Sequence, residues 1–189
     1  STINSAPRFD HKVTRTTTNH ILYSETVLSN VNGGANRAVA DNVEVAPDGT
    51  TTAASITANG ADPYLIVNTE TGVSAGTFTF SVFLKAHPDN SSQACKLRIE
   101  DAGTGLQTSS LINITGEWQR YSFTATTTGD LENVRLDIPD VAVSGDIVYV
   151  WGFQIERNPD VGPYVKTTGA SATKVDAESL GLLVEEART

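Results

Sequence analysis

Apolar and polar residues alternate with a period of two along much of this chain, which is typical of half-buried β-strands. The clearest case is residues 77–86, and the same alternation recurs at 94–101 and 134–138. The apolar face of the first of these segments consists of Phe78, Phe80, Val82 and Leu84. Turn sequences such as Ala46-Pro47-Asp48-Gly49 separate such segments. The pattern predicts about nine or ten short strands and almost no helix, arranged as an antiparallel β-sandwich.

The last predicted strand, residues 147–156, is apolar on both faces, which predicts that both faces are covered. Trp151 is in phase with four other large apolar residues, so we expect it in the core. The face predicted to be shared contains Ile147, Tyr149, Trp151, Phe153 and Ile155, with Val148 and Val150 on the other face.

The two ends of the chain differ from the middle. Residues 1–18 are polar and lack periodicity, so we interpret them as an extended N-terminal arm that precedes a domain at 19–168. Residues 169–189 form a C-terminal tail, in which 171–187 is the one plausible helix, with Asp176 as N-cap and Glu178 in the first turn. Both arms have too few core residues to fold alone, so we expect partner subunits to order them.

Composition narrows the class of protein. The chain has 189 residues, 39% hydrophobic and 19% charged, which is enough for one globular domain. A net charge of −9 disfavours binding to nucleic acid and to anionic membrane surfaces. No apolar run approaches the roughly 18 residues of a spanning helix, so we expect no membrane insertion. Cys95 is the single cysteine, and its alternation with Leu97 and Ile99 predicts a buried core position.

The sequence predicts no catalytic residue. None of the histidines (His11, His20 and His87) lies near a nucleophile motif or at a metal-ligand spacing. Glycoside hydrolysis needs two facing carboxylates, and the pairs Glu100–Asp101 and Asp137–Asp140 are the available candidates. Their spacing is also that of ordinary strand and turn residues, which we favour.

Binding of a sugar requires flat aromatic faces for the ring and fork-like donors for the hydroxyls. Six residues are candidates: Trp118, Phe83, Tyr64, Arg98, Arg120 and Arg135. Two alternatives stay open. Trp118, which is out of phase with Tyr121 and Phe123, caps an edge of the sandwich as readily as it forms a ligand platform. The arginines, equally, pair with the excess of surface carboxylates.

Five sequence blocks occur in an order that resembles a known family. They are residues 19–25 (NHILYSE), 46–51 (APDGTT), 76–82 (GTFTFSV), 117–121 (EWQRY) and 151–156 (WGFQIE). Together they resemble the carbohydrate-binding-module-like jelly-roll domains, of the CenC type, found in head fibres, tail fibres and decoration proteins of tailed phages. The resemblance covers roughly residues 19–168.

The resemblance implies a jelly roll with a non-catalytic role in a virion assembled in the host cytoplasm. The implied partners are bacterial-surface glycans and other virion subunits, contacted through the terminal arms in a homo-oligomer. It also implies a structural Ca²⁺ ion, for which Glu25, Asp48 and Glu156 are the candidate ligands. The alternative is an accessory sugar-binding module of a bacterial polysaccharide-active enzyme.

Overall fold

The computed structural model describes residues 12–90, 94–138 and 144–179, which are all-β and contain no helix. No segment in those ranges is therefore a long apolar helix able to cross a membrane. The strands are β1 (Lys12–Asn19), β2 (Val31–Ala35), β3 (Arg37–Glu44), β4 (Ala53–Ala58), β5 (Tyr64–Asn68), β6 (Thr77–Ala86), β7 (Ala94–Asp101), β8 (Gly105–Thr108), β9 (Ile112–Asn113), β10 (Gln119–Thr126), β11 (Leu131–Asp137), β12 (Ile147–Glu156) and β13 (Ala172–Ser179).

Two antiparallel sheets form the sandwich. One has five strands in the order β10-β6-β12-β4-β3, and the other has six, in the order β2-β5-β11-β7-β8 with β9 paired to β7. Strands that are neighbours in a sheet are mostly distant in sequence, as in β6 beside β12. The antiparallel β-sandwich predicted from the alternating pattern is confirmed.

The core lies between the two sheets and is made by the alternating positions. β6 contributes Phe78, Phe80, Val82 and Leu84, all fully buried, as the sequence predicts. β7 contributes Cys95, Leu97 and Ile99, and β11 contributes Val134 and Leu136. Each large side chain removed from water in this way stabilises the fold by about 1.5–3 kcal/mol. The intervening positions on the same strands point away from the core and form the outer face of each sheet.

The predicted faces of β12 are wrong for its first half. Val148 and Val150 lie in the core, whereas Trp151 is buried on the outer face in a separate cluster with Ala46 and Ala53. The register against β6 shifts between Trp151 and Gln154, because Gly152 adopts a φ of +67° and forms a bulge. After the bulge Phe153 and Ile155 return to the core. One glycine thus switches the face of the strand midway.

The helix predicted within residues 171–187 is wrong for residues 172–179, which form strand β13. β13 pairs with β1 over eight residues, from Lys12 opposite Ser179 to Asn19 opposite Ala172. β1 contains four threonines and one valine, residue types that favour extended backbone over helix, whereas β13 contains one of each and takes its conformation from pairing with β1. Residues 180–187, like residues 1–11 of the predicted N-terminal arm, lie outside the described part of the chain.

The β1–β13 ribbon is attached to the five-stranded sheet through β1. Asn19 is fully buried and its side chain forms hydrogen bonds with four backbone groups. Arg15 forms an ion pair with the buried Glu156 at 3.4 Å and also donates to the carbonyl of Asp160. The described part of the predicted N-terminal arm is therefore ordered by contacts within its own chain.

Cys95 is fully buried, as predicted, and this leads to a test of the core. Burial, with a smaller contribution from the negative charge of Asp137, raises the pKa of the thiol to about 12. Because the thiolate is the reactive form, we expect the native protein to resist the thiol reagent DTNB at about pH 8. Unfolding in urea should expose one reactive thiol. Labelling of the native protein at the rate of the unfolded chain would contradict the buried position.

Candidate functional site

The structure separates the six predicted sugar-binding residues into two groups on opposite sides of the sandwich. Tyr64, Arg98 and Arg135 lie on the outer face of the six-stranded sheet. The other three lie on the outer face of the five-stranded sheet and are Phe83, Trp118 and Arg120. A single site made of all six residues is therefore wrong.

The two arginines of the first group line a cavity with a volume of about 300 Å³. Arg135 lies directly opposite Arg98 in the β11–β7 pair, and its guanidinium lies over the ring of Tyr64, 3.6 Å from the ring centre. The cavity is lined by Asp62, Pro63, Lys96, Arg98, Arg135, Asp137 and Ile138. This surface, called the basic pocket below, is the concavity that contains most of the predicted fork-like donors.

Asp137 holds the two arginines of the basic pocket together. Its carboxylate is 8% exposed and accepts hydrogen bonds from both guanidinium groups, including one of 3.2 Å from Arg135 Nη2. Charge-assisted hydrogen bonds of this kind are stronger than neutral ones and fix the direction of the donors. Both arginines line the cavity and are partly exposed to it.

Lys96 belongs to the basic pocket but was not predicted from the sequence. It lies two residues before Arg98 on β7 and opposite Asp137 on β11, on the same outer face. No ion pair joins Lys96 to any carboxylate of residues 12–90, 94–138 and 144–179. The period-two spacing from Arg98 was the sequence signal that would have identified it.

The second group belongs to an aromatic cluster on the five-stranded sheet. Phe83 contacts Trp151 and Tyr164 edge-on, with ring centres 5.5 Å and 6.3 Å apart. Trp118 packs against the same cluster and its Nε1–H donates to the carbonyl of Val45 at 2.8 Å. The rings thus attach the loop before β4 and the segment after β12 to the sheet. Their role as sugar contacts stays a prediction beside this structural one.

Arg120 is held under the segment that follows β12. Its guanidinium donates to the carbonyl of Gly162 at 2.7 Å and to the hydroxyl of Ser81 at 3.0 Å, and it lies 5.5 Å from the ring centre of Phe83. Burial lowers the pKa of Arg120, against the opposing effect of the nearby Glu156 carboxylate. These contacts give Arg120 a place in the packing of the segment.

The three carboxylates predicted to bind calcium are already hydrogen-bonded to donors. Glu25 accepts hydrogen bonds from the Tyr164 hydroxyl and the Lys166 ammonium. Asp48 accepts from the backbone N–H and the hydroxyl of Thr50. Glu156 accepts from four donors, on Arg15, Gln154, Asn158 and Gly162. Among the described residues no three His, Cys, Asp or Glu side chains form a group that would hold a metal ion. The side chains present do not fit a calcium site formed by these three carboxylates, and the Ca²⁺ ion stays a prediction.

The carboxylates considered for catalysis have structural contacts. Asp101 accepts hydrogen bonds from backbone N–H groups of two adjacent turns; burial alone would raise the pKa of Asp101, but these N–H groups lower it. Glu100 accepts a hydrogen bond of 2.8 Å from Asn133. Asp137 is paired with arginines, and Asp140 lies outside the described residues. Each described carboxylate therefore has a structural contact that explains its position without a catalytic role.

Comparison with solved structures identifies the type of sandwich. A variant of the family 29 carbohydrate-binding module CBM29-2 matches with a TM-score of 0.51 and 14% identity, over 75% of this chain and 85% of that one. A CBM29-2 variant complexed with mannohexaose matches with a TM-score of 0.52 and 13% identity, over 75% and 92%. An exo-β-agarase matches with a TM-score of 0.59 and 14% identity, over 75% of this chain and 25% of the agarase.

Neither a protein-family profile nor a curated protein matches this sequence. At these identities the likeness concerns the fold, and two of the matched chains are variants of one carbohydrate-binding module. The chain has the β-sandwich fold of carbohydrate-binding modules.

Proposed function

We propose that this protein is a non-catalytic glycan-binding module and that the basic pocket is its binding site. The observation that supports this most is the convergence of Arg98, Arg135 and Asp137 on one cavity, with Arg135 stacked on Tyr64, in a sandwich of the fold seen in carbohydrate-binding modules. A sugar offers vicinal hydroxyls that both accept and donate hydrogen bonds. The guanidinium groups match the first property and the carboxylate matches the second.

The geometry of the pocket favours binding of a sugar over cleavage of its bonds. Asp137 is paired with two arginines, so it is not placed as a free acid or base. The cavity is small, at the lower end of the roughly 300–1,000 Å³ of ligand pockets, and accommodates about one sugar unit. A module of this kind binds one sugar unit of a glycan while the rest of the glycan stays in solvent. Each contact is weak, and the overall affinity rises when many copies of the module bind together.

We further propose a virion accessory protein as the setting, attached to glycans of a bacterial surface. The support is the order of the five sequence blocks that resemble phage virion domains. The same proposal includes a homo-oligomer and contacts with virion subunits through the terminal arms, residues 1–18 and 169–189. The test is sedimentation of the full chain beside a chain that lacks residues 1–11 and 180–189 but keeps the β1–β13 ribbon. Unchanged assembly would show that the removed parts of the arms do not hold the subunits together.

The alternative setting is an accessory module of a polysaccharide-active enzyme. Its support is the fold that this chain shares with one part of the exo-β-agarase. The whole agarase chain is about four times longer than that matched part. The two settings differ in where the protein is found. Recovery of the protein in purified phage particles supports the virion, whereas linkage in one polypeptide to a glycoside hydrolase supports the enzyme.

Arg98→Ala is expected to weaken glycan binding by at least about tenfold while the protein stays folded. The reason is the loss of the guanidinium that shares Asp137 with Arg135 and faces the cavity. One lost charge-assisted hydrogen bond lowers affinity by at least about tenfold. The measurement is a glycan array followed by calorimetry on the glycan that binds best.

Two controls accompany this experiment. Lys174→Ala removes the same charge from the exposed ribbon and should leave binding unchanged. Trp118→Ala tests the aromatic cluster. If Trp118→Ala weakened binding to that extent and Arg98→Ala did not, the site would be on the five-stranded sheet and the proposed site would be wrong.

A further inference from the structure

The basic pocket is locally cationic on a strongly acidic protein. The chain has a net charge of −9, yet the pocket is lined by Lys96, Arg98 and Arg135 against the two carboxylates of Asp62 and Asp137. Asp62 has contacts of its own in the structure. A surface charge pattern opposite in sign to the whole molecule concentrates anions at that place.

The cations of the basic pocket are only partly compensated by its carboxylates. Arg98 and Arg135 are cross-strand neighbours, and like charges directly opposite each other in a sheet are destabilising. Asp137 relieves the repulsion between them and also lies opposite Lys96, so three cations share this one carboxylate. With Asp62 included, the lining holds three positive side chains and two negative ones. The surplus positive charge indicates a ligand with a negative charge.

Partial burial of the two arginines strengthens the attraction of this surplus charge for an anion. The side chains of Arg98 and Arg135 are 23% and 21% exposed, so solvent screens them less than it screens charges at the open surface. Arg98 Nε is buried and has no hydrogen-bond partner among the described residues. Part of the donor capacity of the pocket is thus unused by the protein.

We propose that the basic pocket binds an acidic sugar, through a carboxylate, sulfate or phosphate group on one unit of the glycan. Lys96, which has no ion pair within the described ranges, supplies a positive charge, and Arg98 supplies directional N–H donors. Arg135, fixed over Tyr64, positions Arg98 through their shared Asp137. This inference rests on the proposed glycan-binding function and names the ligand class of that site.

The test uses matched pairs of glycans that differ in one group. An array of uronic-acid glycans is compared with the same glycans after reduction of the carboxyl to a hydroxymethyl group, and sulfated glycans with their desulfated forms. We expect at least tenfold stronger binding to the acidic member, the change expected for one charge-assisted contact. The preference should shrink as salt rises. Which pair shows the preference identifies the anionic group.

Lys96→Gln and Lys174→Gln form the matched variants, because each removes one positive charge and only Lys96 lies in the pocket. Loss of the acidic preference in Lys96→Gln alone supports the proposal. Equal binding of acidic and neutral members, with weaker binding of both in Arg98→Ala, would keep the glycan-binding function and overturn the acidic-sugar inference.

Binding to no glycan at all would overturn the proposed function. A second measurement then decides about the pocket itself, namely an NMR titration of the full chain with sodium sulfate or sodium glucuronate. Saturable shifts at residues 64, 96–98 and 135–137 that are absent in Lys96→Gln would retain an anion site. Shifts spread over the surface, or none, would overturn the anion site as well.

Discussion

Asn19→Ala is expected to lower the free energy of unfolding by at least about 3 kcal/mol. Asn19 Nδ2 donates to the carbonyl of Phe153 at 3.0 Å and to that of Val165 at 2.8 Å. Its Oδ1 accepts from the N–H groups of Ile21 at 3.0 Å and Ile155 at 3.2 Å. The side chain is fully buried, so alanine would leave four backbone groups without a partner. Urea unfolding followed by tryptophan fluorescence measures the loss.

Thr18→Ala is the matched control for that experiment. Thr18 is the neighbouring residue of β1, and its hydroxyl pairs with that of Thr173 at 2.9 Å on the exposed ribbon. We expect Thr18→Ala to change the free energy of unfolding by no more than about 0.5 kcal/mol. The free energy of unfolding of Asn19→Ala could instead lie within about 1 kcal/mol of the wild-type value. Ordered water or backbone movement would then be replacing the amide, and the role of Asn19 as the anchor of β1 would be wrong.

The importance of Asn19 could not be read from the sequence, and the reason is general for this fold. Alternation reveals which residues of one strand share a face, and it placed Phe78, Phe80 and Leu97 in the core correctly. It contains no information on which distant backbone groups meet a polar side chain. Asn19 contacts segments more than a hundred residues away, whose approach is set by the whole sandwich.

Two further differences between prediction and structure have local causes. Gly152 reverses the face of β12, and a glycine within a strand permits such a bulge without requiring it. Residues 172–179 lack an alternating apolar pattern because the ribbon is exposed, with Val175 63% exposed. Their strand conformation follows from pairing with β1. The helix predicted there rested on capping residues alone, which tertiary pairing overrode.

The candidate site was partly predictable for the same reason. Outward positions of β7 and β11 gave Arg98 and Arg135, but strand order decides which outward residues meet. The order put Phe83 and Trp118 on the other sheet and paired β7 with β11, which placed Arg98 opposite Arg135 and Lys96 opposite Asp137. The charge pattern of the pocket is therefore a property of the sheet topology, and sequence spacing alone did not identify it.

Asp137→Asn is expected to destabilise the protein by about 2–3 kcal/mol at low ionic strength and to strengthen its binding of anions. Removing one partner of a buried ion pair costs about 3–5 kcal/mol, and the partial exposure of both arginines reduces that figure. The substitution leaves Lys96, Arg98 and Arg135 facing a single pocket carboxylate, and its amide N–H₂ would face a guanidinium donor.

Sulfate should restore part of the stability lost in Asp137→Asn, because an anion that binds only the folded state stabilises it increasingly as its concentration exceeds its Kd. The measurement is the unfolding midpoint in sodium sulfate and in sodium chloride of equal ionic strength, for wild type and variant. Sulfate also stabilises any folded protein because it is excluded from the surface, so Asp176→Asn, a carboxylate of the exposed ribbon paired with Lys174, is the control that measures this general gain. A gain from sulfate in Asp137→Asn no larger than in Asp176→Asn would remove specific anion binding from the basic pocket.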